Sequence, residues 1–253
     1  MISQSQVDYF KEVGIWYTGV AAKDPQFHIS SLSKFLSQDR SYKNTFLQKR
    51  FDEHFEGYSF LGQEDSLNQG SEDQVYTYVM SDFINSERHP IEFQSLIFNQ
   101  TTLIKLISKL EEALLAAIDP SLNSLLKDSI GHMLSANYYP PSDDSKLRLT
   151  AHPDVSLFTV FPFGLDKEFQ FEMPDGSWQT LEKTNEIICF SGYLLQCLTG
   201  IKALNHKVEK KGSQNERYSF AYFSLPKPNT LFDIENEEVT SENYFRRYLS
   251  LFD

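Results

Sequence analysis

The chain has 253 residues, 40% hydrophobic and 23% charged, enough to bury a substantial core in one large domain or two small ones. Its 35 acidic residues against 23 basic ones give a formal charge of −12, which argues against a nucleic-acid binder and, less strongly, against an anionic membrane surface. No run approaches the roughly 18 to 20 apolar residues of a bilayer span, and "MISQSQVDYFKEV" lacks the layout of a signal peptide, so the chain reads as cytoplasmic.

Residues 1–100 read as a mainly helical region packed on the rest. "SSLSKFLSQDRSYKNTFLQKRFDEHF" is polar with spaced apolar residues, and "EGYSFLGQEDS" reads as a turn and a short extended piece. From 67 to 90 the chain is polar and acidic, a surface loop with short extended pieces. In "TTLIKLISKLEEALLAAI", Leu103, Leu106, Ile107, Leu110, Leu114 and Ile118 fall on one stripe at helical spacing. That helix stops at "DPS", because Pro120 cannot continue it.

After Pro140 and Pro141 the character changes. "LRLTAH", "VSLFTVFPF", "EFQFEM", "EIICF" and "RYSFAYFSL" are short β-rich runs separated by turn signals such as "PDGSW" and "FSGY". Closely spaced strands of this kind predict a double-sheet sandwich such as a jelly roll. "ENYFRRYLSLFD" reads as an amphipathic C-terminal helix. The fold class is therefore α+β, with residues 101–253 as the core and one folding unit overall. Phe158, Phe161, Phe169, Phe171 and Phe220 read as core, and Trp178 as a structural hairpin residue. Cys189 and Cys197 sit in an apolar run and read as free thiols rather than a disulfide.

The chemistry-bearing residues lie in the β-rich part. His152 and Asp154 are two apart, and on a strand such a pair shares a face and can converge on one ion. They can equally be polar residues where a turn becomes a strand. His54 and Glu56 have the same spacing by chance, in a charged helix-like segment where such a pair diverges; His54 reads as solvated. A ferrous site of the two-histidine, one-carboxylate type needs another histidine and open positions. Downstream of His152 the sequence offers one, His206. Eleven residues later, Arg217 and Ser219 share a strand face, and an arginine fork beside a hydroxyl suits a carboxylate. His28, His89 and His132 have no legible partners and read as structural or solvated.

These blocks, taken in order, carry a resemblance. "NYYPP" (137–141), "HPDVSLFTV", "DGSW" (175–178), "GYLLQCLTGIKALNHKV" (192–208) and "RYSFAYFSLP" (217–226) resemble successive motifs of the isopenicillin N synthase-like family of non-haem Fe(II), 2-oxoglutarate-dependent oxygenases. The resemblance implies a distorted double-stranded β-helix, or jelly roll, with flanking N-terminal helices and a C-terminal helix. It implies that His152, Asp154 and His206 bind Fe(II), that Arg217 and Ser219 hold the distal carboxylate of 2-oxoglutarate, and that Asn137 and Tyr139 sit near its other end. Phe223 and Tyr193 are the residues it points to for the substrate. The implied reaction uses O2 to couple decarboxylation of 2-oxoglutarate to succinate with hydroxylation, desaturation or cyclisation of a small molecule.

The chain departs from the family pattern in four places. Pro153 stands where threonine is common, Gly192-Tyr193 replaces the usual Gly-Asp, Lys207 follows the distal histidine in place of arginine, and "LSANYYPP" lacks the arginine that usually precedes the tyrosine block. None is a metal or co-substrate residue, and all leave the substrate open. Three other readings stand beside this one: an iron-dependent oxidase of the same fold that does not use 2-oxoglutarate, a non-catalytic β-sandwich binding module, and a zinc hydrolase, since the ligand set also suits zinc. Oligomeric state is not legible.

Overall fold

Local chemistry sets the first boundaries. Ser3 and Gln6 form a reciprocal cap at the start of α1 (Gln4–Val13), and Gly14, at φ 88°, ends it in a left-handed conformation. The computed structural model describes residues 2–47, 56–63, 73–81, 88–99, 101–141, 148–209 and 215–249. After α1 come β1 (Ile15–Ala21), α2 (Gln26–Leu36), α3 (Arg40–Asn44), β2 (Gly57–Ser59), β3 (Tyr76–Ser81), α4 (Ile91–Asn99) and α5 (Thr101–Ile118). Asp119 then caps α6 (Pro120–Leu126) by accepting from the backbone of Ser121 and Leu122, with Pro120 at the first helical position.

The second half is mostly strand: β4 (Ile130–Tyr139), β5 (Leu149–His152), β6 (Phe158–Phe161), β7 (Phe169–Glu172), β8 (Trp178–Thr180) and β9 (Glu186–Ser191). The short helix α7 (Tyr193–Thr199) precedes β10 (His206–Val208) and β11 (Arg217–Pro226). The hairpin β12 (Leu231–Ile234) and β13 (Glu237–Thr240) leads to α8 (Ser241–Leu249). The β7–β8 hairpin follows its sequence: Asp175 accepts from the Ser177 backbone and hydroxyl while Gly176 takes φ 83°.

The strands build two facing antiparallel sheets, ordered β1-β9-β6-β11-β4-β3-β2 and β5-β10-β7-β8. Sequence neighbours are mostly not sheet neighbours, which is the jelly-roll winding. The first hundred residues thus add β1, β2 and β3 to the main sheet beside their helices. The main sheet is buried on both faces. Its outer face carries Phe220, Tyr222, Leu134, Val160 and Cys189 against Phe35, Leu114 and Leu115 of the helices. Its inner face carries Ile15, Phe161, Ile188 and Phe190 against Phe169, Phe171 and Leu204.

Residues paired across adjacent strands face the same way, so the registers lay out the inner face in rows. One row runs Ile15–Phe190–Thr159–Phe223–Met133–Ser81. Another runs Ser219–Asn137–Thr77–Ser59, and the next pairs Arg217 with Tyr139. The first row is mostly apolar, and the other two carry hydroxyl, amide, phenol and guanidinium groups. No helix among the described residues is long and apolar enough to cross a membrane.

Candidate metal centre

β10 is the strand that assembles the site. It pairs on one side with β5, setting His206 opposite His152, and on the other with β7, setting His206 opposite Phe171. The two imidazoles lie 4.6 Å apart between ring centres. Asp154 completes the cluster: its Oδ1 is 3.7 Å from His152 Nε2 and 3.8 Å from His206 Nε2. The three potential ligand atoms all lie within 4.8 Å of one another. These gaps are too long for hydrogen bonds. They leave a space between three electron-pair donors.

The convergence has a different cause from the shared strand face suggested by the spacing. His152 is the last residue of β5, and Asp154 lies beyond it in the loop before β6. Pro153, which has no N–H to offer a ladder, stands at the point where the strand ends.

Each of the three side chains is oriented from behind. His152 Nδ1 donates to Thr150 O at 2.7 Å and His206 Nδ1 to Leu204 O at 3.1 Å. A carbonyl can only accept, so both rings carry a proton on Nδ1 and turn Nε2 to the centre. Burial pushes the His206 pKa down to about 4, with His152 pushing the same way against Asp154. His206 is thus a neutral donor at ordinary pH. The Thr159 hydroxyl donates to Asp154 Oδ2 at 2.6 Å, leaving Oδ1 toward the histidines. Since that hydroxyl has one hydrogen, the Ser156 hydroxyl must donate to Thr159 at 3.0 Å.

A cationic anchor lies along the same interior. Val208, two residues beyond His206 on β10 and so roughly 7 Å along the strand, packs in one cluster with Tyr139 and Val75. The Arg217 guanidinium stacks over the Tyr139 ring at 4.7 Å. Its Nε donates to Asp166 Oδ2 at 2.7 Å and lies 3.9 Å from Glu168 Oε2, while its Nη1 is buried with no hydrogen-bond partner. Ser219 accepts from Asn137 Nδ2 at 3.4 Å, and Ser135 donates to Asn137 Oδ1 at 2.9 Å. Burial raises the Tyr139 phenol, against the pull of Arg217 and a hydrogen bond with Ser219. Arg217, Ser219, Asn137 and Tyr139 thus occupy paired positions on two adjacent strands.

Phe223 lies on the inner face beside Thr159. Tyr193 opens α7, where its backbone N–H donates to Asp154 O at 2.7 Å. His54 lies outside the described residues. The remaining histidines are buried: His28 beside Tyr222, His89 beside Tyr78 and His132 beside Glu111.

Several neighbours were not evident from the sequence. Arg148 is buried, 3.4 Å from Glu168 Oε2, so Glu168 lies between two arginines. The alternation Arg148, Thr150, His152 along one strand face was the available signal. Nothing local announced Asp166, Glu168 or Thr159.

Residues 130–226 match the family model of the 2OG-Fe(II) oxygenase superfamily. The matched segment holds both histidines, the aspartate, the arginine and the serine of this site. Over this segment the chain is similar to a 2OG-Fe(II) oxygenase domain. Solved structures share its architecture over nearly the whole chain. A full-length Neurospora crassa protein in complex with alpha-KG is 20% identical over 97% of this chain and 89% of its own, with a TM-score of 0.75. JOX2 in complex with 2OG, Fe and JA is 20% identical over 96% and 79%, with a TM-score of 0.74. The Arabidopsis thaliana dioxygenase for auxin oxidation 1, in a 2-oxoglutarate complex, is 14% identical over 89% and 90%, with a TM-score of 0.67. At these identities the likeness establishes the jelly-roll fold of the oxygenase domain. No curated protein sequence matches the chain significantly.

Proposed function

We propose that this oxygenase domain oxidises a small molecule with Fe(II), 2-oxoglutarate and O2, and that His152, Asp154 and His206 hold the iron. The observation that carries the reading is the convergence of two imidazole nitrogens and one carboxylate oxygen within 4.8 Å of one another. Two imidazoles and one carboxylate are the donor set of a ferrous oxygenase with open positions. Ferrous iron, when bound there, supplies the activation of O2, with 2-oxoglutarate oxidised to succinate and carbon dioxide as the substrate is oxidised.

The protein's own part is to hold and orient. Thr159 fixes which oxygen Asp154 presents, and the Thr150 and Leu204 carbonyls fix the imidazole tautomers. Arg217 offers its unpartnered, buried Nη1 to the distal carboxylate of the co-substrate, with the Ser219 hydroxyl beside it. A buried guanidinium nitrogen without an acceptor is costly unless a ligand supplies one. Tyr139 and Asn137, expected near the other end of the co-substrate, lie instead on the Arg217 side: Tyr139 stacks on the guanidinium face and Asn137 donates to Ser219 from β4.

For the substrate, the row Ser59, Thr77 and Asn137, with Ser135 beside Asn137, supplies hydroxyl and amide groups and no charge. Met133 and Phe223 supply an apolar floor beside Thr159. These groups favour a small, polar, uncharged substrate. Among the structural relatives, the Neurospora crassa protein has been solved with thymine and JOX2 with JA.

Uncoupled turnover tests the reading without knowledge of the substrate. Purified protein given Fe(II), 2-oxoglutarate and O2 should form succinate. His152→Ala, Asp154→Ala and His206→Ala should each abolish it, and Arg217→Ala should raise the KM for 2-oxoglutarate. Succinate formation unaffected by these substitutions would overturn the assignment.

A further inference from the structure

The loop that carries Asp154 has no ladder of its own, yet every backbone carbonyl from Pro153 to Leu157 accepts a hydrogen bond. Three donors are backbone N–H groups at the start of α7: Tyr193 to Asp154 O at 2.7 Å, Leu194 to Ser156 O at 3.1 Å and Gly192 to Leu157 O at 3.1 Å. The other two are phenol hydroxyls from α8: Tyr244 to Val155 O at 2.8 Å and Tyr248 to Pro153 O at 3.4 Å. The α7 backbone comes so close here that a Cβ on Gly192 would collide with the Ser156 carbonyl.

Tyr244 and Tyr248 are both buried, and a phenylalanine would fill the same space without needing a partner. The three tyrosine rings pack together, Tyr193 on Tyr248 at 5.1 Å and Tyr244 on Tyr248 at 6.2 Å between centres. Both hydroxyls go to carbonyls that flank Asp154. They therefore constrain the peptide unit just before Asp154 and the one just after Val155, on a loop whose Asp154 Oδ1 faces both histidines.

We infer that α8 is a clamp on the metal loop, with Tyr244 and Tyr248 as positioning residues that set the place of the Asp154 carboxylate. The inference rests on the reading of Asp154 as a metal ligand. The C-terminal helix then acts through the backbone, where Thr159 acts on the side chain. Releasing the two carbonyls frees the loop to move Asp154 relative to the histidines, which stay held by β5 and β10. The cost falls on metal affinity, not on the fold.

The test uses the full chain with Co(II) as the probe, followed by its visible absorption under anaerobic conditions. Wild type, Tyr244→Phe/Tyr248→Phe and Asp154→Ala are compared, each also melted with and without Co(II). The double variant should bind Co(II) about tenfold more weakly, as outer partners of metal ligands commonly do when removed. Its melting temperature should rise less on Co(II) addition than that of wild type. Wild-type affinity in the double variant, even with a lower melting temperature in the absence of metal, overturns the clamp and leaves ordinary packing. Should the double variant fail to fold, the two single variants carry the same comparison. Asp154→Ala separates the two ideas: if it binds Co(II) like wild type, the ligand reading has failed. Hydrogen exchange at amides 152–160 then decides the clamp, faster exchange in the double variant upholding it and unchanged exchange overturning it.

Discussion

Thr159→Val isolates one atom of the site. Thr159 is fully buried on β6, and valine keeps its shape and strand preference while deleting the hydroxyl. The lost bond is the 2.6 Å donation to Asp154 Oδ2, and Ser156 loses its acceptor at the same stroke. A hydrogen bond to a charged group contributes about 1.5–3 kcal/mol. If most of that is spent on holding Oδ1 toward the histidines, metal affinity should fall roughly 10- to 150-fold, at 1.36 kcal/mol for each tenfold. Titration with Co(II) against a competing chelator measures it, and Thr159→Ser, which restores the hydroxyl, should recover most of the loss. Affinity within twofold of wild type in Thr159→Val would refute the orientation argument. So would a Thr159→Ser variant as impaired as the valine.

Three further outcomes follow from the same reasoning. Arg217→Lys should weaken 2-oxoglutarate binding at least about tenfold while leaving Co(II) affinity unchanged, because an ammonium cannot reproduce the guanidinium fork; isothermal titration of both ligands reads the difference. Glu111, buried on α5, accepts from His132 Nε2 at 2.9 Å and from the Ser224 hydroxyl. Glu111→Ala removes a buried acceptor from both and should cost about 3 kcal/mol or more in urea unfolding. Burial holds the His28 pKa down to about 4, against 6.5 for a free histidine. The unfolded chain therefore takes up that proton first. The stability from a neutral His28 is complete above pH 6.5 and is lost as the pH falls toward 4, by about 3 kcal/mol. His28→Gln should flatten that part of the stability profile.

The site was legible in the sequence to the extent that it is built from short motifs on strands. His152-x-Asp154, the later His206 and Arg217-x-Ser219 could be picked out because metal and anion sites demand particular side chains at particular spacings. Their geometry was less accessible. The shared strand face that made His152 and Asp154 attractive is not what joins them, since β5 ends at His152. What sets Asp154 is a loop whose carbonyl partners lie roughly forty to ninety residues further along the chain. Contacts at that separation leave no periodic trace in the sequence. The same applies to Arg148, Glu168 and Arg217, which lie far apart in the chain and meet only when the sheets close.

Strand β3 shows a second limit. Tyr76, Thr77, Tyr78, Val79, Met80 and Ser81 form an internal strand of the main sheet, but they sit in a stretch dominated by acidic and polar residues. Averaged over that stretch, six residues of β-forming character are diluted. The long helix α5 had no such problem, because its apolar stripe repeats over 18 residues and ends at a proline signal.

The central claim is that this interior binds Fe(II) through His152, Asp154 and His206, with 2-oxoglutarate held by Arg217. The most direct measurement is the visible spectrum of the protein reconstituted anaerobically with Fe(II) and then given 2-oxoglutarate. Chelation of ferrous iron by a 2-oxo acid should produce a weak charge-transfer band, absent in His152→Ala and weakened in Arg217→Ala. Bound iron with no such band would contradict the co-substrate assignment and make Arg217 the anchor for the substrate's own carboxylate. Failure to bind iron at all would contradict the site itself.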